Sequence, residues 1–240
     1  MAAAGLALVT GGSRNIGAAI CRRLHADGHE VVNLDRIAPE APVPGRWIEV
    51  DLSDAEATGR VLARIVAEQP VLRLVNNVGM IRPASLDKTR LEDFSAVMSL
   101  NVRTAIQCVQ AVAPGMRQAH FGRIVSISSR AVLGKELRTS YSASKAAIHG
   151  LTRTWALELA RDGITVNAVA PGTIDTSLFH EANPPDDPRT QAIFKAIPVG
   201  RIGTPTDVAH AVSFFLDERS SFITGQALFV CGGLTVGLTQ

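Results

Sequence analysis

A single α/β domain spanning 1–240, with a doubly wound, parallel, seven-stranded sheet and helices on both faces, is predicted by three observations. Short apolar or β-branched runs recur seven times along the chain. Helix-length segments fill the intervals between them. Several of the runs are apolar almost throughout instead of alternating, which is how strands buried on both faces read. Regular alternation of strand and helix implies right-handed crossovers and therefore a parallel sheet.

The strands in order are LALVT (6–10), EVVNL (30–34), RWIEV (46–50), LRLVN (72–76), GRIVSIS (122–128), ITVNAVA (164–170) and ALFVC (227–231). Helical patterns occupy 16–26, 54–68, 91–117, 141–160 and 206–216. The stretch 172–204, which contains HEANPPDDPRT, shows neither period and is expected to be an irregular loop. A loop of that length in a compact domain reads as a binding lid, the alternative being a plain surface excursion. No repeat or internal linker is visible.

Composition narrows the function classes. Hydrophobic residues make up 46% of the 240 and charged residues 19%, enough apolar side chain for a sizeable core. The net charge is +2 with the 24 Lys and Arg scattered, so neither a nucleic acid nor a membrane surface is expected as partner. Cys21, Cys108 and Cys231 have no CxxC spacing and no accompanying histidines; they read as reduced thiols, and no metal is expected. The apolar start lacks a basic n-region, and no run approaches the roughly 20 residues of a membrane helix, so a cytoplasmic protein is expected.

Chemistry enters with TGGSRNIG, residues 10–17, between the first strand and the first helix. A strand–turn–helix of this kind lets backbone approach a phosphate closely and aims helix N–H groups at it. Asn15 fits such a turn because asparagine reaches positive φ at low cost. Asp35 ends the second strand, where a carboxylate can bond the hydroxyls of an adenosine ribose. Asp51 ends the third, and Asp54 behind it reads as a helix cap. A second centre is YSASK, which sets Tyr141 and Lys145 four residues apart on one helix face, about 6 Å along the axis. A phenol titrates near 10, so a neighbouring cation is needed to make it an acid–base group at neutral pH. Tyr141 is the only tyrosine.

Together these features resemble the short-chain dehydrogenase/reductase family over the whole chain. NNVG (76–79), SLNV (99–102), GRIVSISS (122–129), PGTIDT (171–176) and the ending from GRIGTPTDV onward carry the likeness beside the two motifs above. Asn15 and Val78 depart from the family pattern, which has glycine and alanine there. The resemblance implies a Rossmann-type fold and an NAD(H)-dependent oxidoreductase that interconverts a secondary alcohol and a ketone. It implies Tyr141 as general acid/base, Lys145 lowering its pKa and holding the nicotinamide ribose, and Asn101 positioning a relay water. Ser129 would bond the substrate oxygen, with Ser128 as the alternative. Cofactor contacts are implied for Gly11, Ser13, Arg14, Asn15, Ile16, Gly17, Asp35, Asp51, Leu52, Asn77, Gly79, Tyr141, Lys145, Pro171, Ile174 and Thr176. A homotetramer, or else a dimer, is implied by helix pairing across 91–117 and 141–160.

Asp35 favours the free ribose hydroxyls of NAD, whereas Arg14 and Arg36 suit the 2′-phosphate of NADP; NAD is the expectation. A rival within the same fold is an NADPH-dependent 3-oxoacyl-carrier-protein reductase docking on Arg123 and Arg130, and a more distant one is a non-catalytic nucleotide sensor. The substrate walls are expected at 132–138 and 178–180, with Leu178 and Phe179 apolar. His180, Lys135 and Arg138 are the polar candidates there.

Overall fold

The computed structural model describes residues 6–39, 41–184 and 187–236. Seven parallel strands form one sheet: β1 (Leu6–Thr10), β2 (Val31–Asp35), β3 (Arg46–Glu49), β4 (Val71–Asn76), β5 (Gly122–Ile127), β6 (Ile164–Pro171) and β7 (Ala227–Val230). Their spatial order is β3-β2-β1-β4-β5-β6-β7. The chain therefore winds outward from β1 in one direction and from β4 in the other. The C-terminal ends of β1 and β4 meet at the point of reversal, which is where open α/β sheets place their ligands.

Every strand lies within a residue or two of its expected run. β1, β4, β5 and β6 are buried along their full length, as unalternating apolar runs require. Successive side chains of β1 divide between two cores. Leu6 and Leu8 join the apolar residues of α2 (Ala55–Glu68) and the helices packed beside it. Ala7 and Val9 join α1 (Asn15–Ala26) and α8 (Pro205–Leu216). The period of two in a pleated strand thus builds both layers from one pentapeptide.

Two expectations change. The helical pattern over 91–117 is not one α-helix: α3 (Leu91–Met98) and α4 (Thr104–Gln118) are joined by a π-helical turn, Ser99–Arg103. The extra residue in that turn shifts the helical phase, and it lies where Asn101 must face inward. The span 172–204 is not an irregular loop either. It carries α6 (Ser177–Ala182) and α7 (Pro188–Lys195), and its ends are tied by a parallel bridge between Ile174 and Gly203. These helices are too short to show a clear period in sequence, and Phe179 packs on Phe194 to hold them together. The fifth helix, α5 (Thr139–Leu159), carries the YSASK motif in its first two turns.

Candidate active site

The glycine loop is shaped by contacts that leave no room for a side chain. Gly11 has φ of +68°, and its amide donates to Leu34 O at 2.7 Å. A Cβ on Gly17 would overlap the Gly11 carbonyl oxygen. Asn15 has φ of +48°, the conformation expected of it. Two residues not singled out in the sequence hold the loop. Asn33 accepts from Gly12 N at 2.7 Å and donates to Ser13 Oγ at 3.0 Å. Thr10 Oγ1 accepts from the amides of Asn77 and Val78 at 3.0 and 3.1 Å. A buried asparagine inside the otherwise apolar VVNLD was the available signal for the first.

Beyond the loop lies a hollow of about 300 Å³ lined by Gly11, Arg14, Asn15, Asp35, Arg36, Asp51, Leu52, Asn77 and Gly79, among others. The Asp35 carboxylate is fixed at its edge, accepting from Ser13 N at 3.1 Å and Ile37 N at 3.2 Å. Asp51 is held in the same way by the amide and hydroxyl of Ser53, which keep its carboxyl below the usual range. The Asn77 carboxamide donates to the carbonyls of Thr10 and Gly11. It therefore braces the loop as well as lining the hollow.

Eight residues expected at the cofactor do not line this hollow: Gly17, packed on the Gly11 carbonyl, Tyr141 and Lys145, which belong to the catalytic group described below, and Ser13, Ile16, Pro171, Ile174 and Thr176. Ser13 is buried and donates to Ile37 O at 2.6 Å. Ile16 and Ile174 pack into the core shared by α1 and α8. Pro171 is buried at the end of β6, and Thr176 Oγ1 caps α6 by accepting from Phe179 N at 3.2 Å. Arg123 is buried, 2% exposed, and its guanidinium stacks on Phe121, so it forms no part of a docking surface. The side chain of Leu178 lies outside those described.

The catalytic candidates converge at the N-terminal turns of α5. The Ser129 hydroxyl stands beside the Tyr141 phenol and accepts from Ala131 N at 3.1 Å. Ser128 turns the other way, is buried, and donates to Lys145 O at 3.1 Å. Burial raises the Tyr141 phenol above its ordinary value, while the Ser129 hydroxyl and the charge of Arg138 work against that rise. Lys145 is buried and donates to Ile127 O at 2.7 Å, with its Nζ 5.7 Å from the Tyr141 ring centroid. Burial brings its pKa down to about 8. Lys145 is thus anchored to the end of β5 with its ammonium beside the Tyr141 ring.

Asn101 faces the same place from the π-helical turn. It donates to Met80 O and Ser144 Oγ, both at 3.0 Å, and accepts from Met80 N at 2.8 Å. A Cβ on Gly79 would lie 3.3 Å from Asn101 Oδ1 and 3.4 Å from Lys145 Nζ. That glycine leaves the lysine open to a ligand lying along the cleft. Beside the site, Lys135 and Arg138 line a second hollow of about 470 Å³ with Ser85, Leu86 and Leu137. His180 is paired with Asp175 at 2.5 Å. Among the described residues there is no cluster of three or more metal-ligating side chains. No helix among them is long and apolar enough to cross a membrane.

A family model described as enoyl-(acyl carrier protein) reductase matches residues 11–235. The chain is 38% identical to the 3-oxoacyl-[acyl-carrier-protein] reductase MabA of Mycobacterium tuberculosis, over 96% of this chain and 92% of that one. It is 39% identical to an acetoacetyl-CoA reductase of Rhizobium meliloti, over 95% and 97%. A crystal structure of a putative NAD(P)-dependent gluconate 5-dehydrogenase from Beutenbergia cavernae, with bound NADP, superposes with a TM-score of 0.91 at 32% identity. It covers 98% of both chains.

Proposed function

The chain belongs to the short-chain dehydrogenase/reductase family of oxidoreductases, and we propose that it interconverts a ketone and a secondary alcohol with a nicotinamide dinucleotide. The observation that carries this reading is the Tyr141–Ser129 pair set beside buried Lys145, whose Nζ lies next to Gly79, a residue that lines the hollow beyond the glycine loop. The cleft fits the dinucleotide: the close approach of Gly11 and Gly17 leaves backbone, not side chains, facing the phosphates, and the Asp35 carboxylate stands at the ribose end.

When bound, the nicotinamide supplies or takes the hydride. The chain handles the proton and the geometry. In reduction, Ser129 donates to the carbonyl oxygen and orients it, and the Tyr141 hydroxyl gives that oxygen its proton. In oxidation, the phenolate takes the proton back. Lys145 holds the ribose and, as a cation, favours the phenolate over the phenol. Asn101 fixes the backbone at Met80, next to the lysine, and orders the path by which the proton is replaced from solvent.

NAD is the preferred cofactor in this reading, because a fixed carboxylate repels a 2′-phosphate. A unit charge pair at about 5 Å and an effective dielectric of 20 is worth roughly 3 kcal/mol. A second reading, an NADPH-dependent reductase of 3-oxoacyl thioesters, is supported by the activities named for the two relatives and by the NADP in the related structure. Arg14 and Arg36 line the same hollow and suit it. The two readings share the ketone chemistry and divide on cofactor and substrate.

Steady-state kinetics of acetoacetyl-CoA reduction and of a secondary-alcohol panel, each with both cofactors, separates them. At least about a tenfold preference in kcat/KM for NAD(H) is expected, relaxed or reversed in Asp35→Ser. Equal or better use of NADPH by the wild type assigns the decision to the arginines. Tyr141→Phe is the control for the chemistry: more than about a tenth of wild-type kcat remaining would show that another group moves the proton. Assembly as a homotetramer through α4 and α5 is proposed as well, supported by apolar Leu157, 83% exposed on α5.

A further inference from the structure

Asn15 stands where the family pattern has glycine, and its backbone explains only half of what it does. Its Nδ2 donates to Ser177 Oγ at 3.1 Å, and its Oδ1 accepts from Ser177 N at 3.1 Å. Ser177 is the first residue of α6, 162 positions further on. The first amides of a helix have no partner within it. Here Thr176 Oγ1 takes that of Phe179, and Asn15 takes that of Ser177. A reciprocal pair fixes both separation and orientation, and a glycine at this position offers neither bond. The rest of the segment is braced at its root: Asp175 N donates to Gly203 O at 2.8 Å, and the Asp175 carboxylate pairs with His180. The amide pair at Asn15 extends that bracing across the cleft to the nucleotide loop.

We propose that Asn15 is a positioning residue that fastens the lid to the nucleotide loop, so that the cofactor enters and leaves only when the Asn15–Ser177 pair opens. The inference rests on reading the cleft as a dinucleotide site. The fastening ties the glycine loop, which faces the phosphates, to a lid whose root the family resemblance places beside the nicotinamide. Release of either end of the cofactor is thereby coupled to release of the other.

Asn15→Gly removes both bonds from the loop side and restores the commoner residue for positive φ. Ser177→Pro removes both from the lid side without touching the loop. Proline is favoured at a first helical position, and Thr176 before it is already extended, φ −137° and ψ 155°. The two variants, their combination, and the milder Ser177→Ala are to be compared by hydrogen exchange of segment 177–183 in the ligand-free protein. NADH dissociation is followed in parallel by displacement of its fluorescence. Each of the first two is expected to speed both exchange and NADH release by about three- to tenfold, as loss of a pair of exposed hydrogen bonds allows. The combination should be no faster than either alone, because both remove the same contact. Should Ser177→Pro fail to fold, a smaller acceleration in Ser177→Ala that vanishes in the Asn15→Gly background serves the same purpose. Unchanged exchange in both single variants, or effects that multiply in the combination, overturns the fastening. Faster exchange with unchanged NADH release overturns its link to the cofactor. Absence of NADH binding to the wild type would instead overturn the dinucleotide reading.

Discussion

At Tyr141, burial and a neighbouring hydroxyl act in opposite directions on one proton. Burial raises the phenol, and the Ser129 hydroxyl lowers it. Alcohol oxidation needs the phenolate, so its kcat/KM should climb with pH, about tenfold per unit, until Tyr141 has lost its proton. Ketone reduction needs the phenol and should fall over the same range. Ser129→Ala removes a lowering influence, so both limbs should move to higher pH. It should also cut kcat/KM by roughly 10²-fold, the effect of losing one oxyanion donor. Ser128→Ala deletes a bond to the Lys145 carbonyl oxygen and should leave the limbs in place. A pH profile for each variant checks this; a shift in Ser128→Ala alone would move the substrate-orienting role one residue back.

Glycines in helices show how an element's setting decides the sign of one substitution. Gly17, in the first turn of α1, lies against the Gly11 carbonyl, where a methyl group has no space. Gly17→Ala should therefore abolish cofactor binding or prevent folding, since the atom that must yield belongs to the loop backbone. Gly59, inside α2, has nothing within 4 Å of where its Cβ would stand. Gly59→Ala should stabilise the protein by about 0.4–1 kcal/mol, because alanine loses less backbone entropy on folding. Urea unfolding of the two variants against wild type reads both effects. Destabilisation by Gly59→Ala would mean that the open face of α2 is covered in the native assembly.

For the molecule as a whole, two buried arginines and one exposed leucine mark opposite ends of the packing problem. Arg73 and Arg123 are register partners on β4 and β5, both 2% exposed and both stacked on Phe121. Carbonyl oxygens at the end of α8 accept from them: Leu216 O from Arg73, and Asp217 O and Glu218 O from Arg123. Leu157 has no such enclosure among the described residues. If α5 pairs with its copy, light scattering should give a mass near four times the 25.4 kDa of one chain. Leu157→Glu should lower it, since a charge buried at an interface without a partner is costly. A monomeric wild type would remove the proposed assembly.

The amino-acid sequence by itself determined the seven strands, their parallel winding and the place of the site at the sheet's carboxyl edge. These depend on hydrophobic period and on turn residues such as Gly11 and Asn15, whose φ preferences are local. It also marked Tyr141 and Lys145, because four residues on a helix fix a shared face. Tertiary structure decided what no local period encodes. Asn33 and Thr10 hold the glycine loop through contacts between strands, and Ser128 and Ser129 part because one bonds the Lys145 carbonyl while the other stands at the Tyr141 phenol on the same helix. The π-helical turn inside 91–117 and the two short helices inside 172–204 escaped for the same reason. A one-residue phase shift and helices of six and eight residues are stabilised by what they pack against, and that neighbour lies far away in the chain.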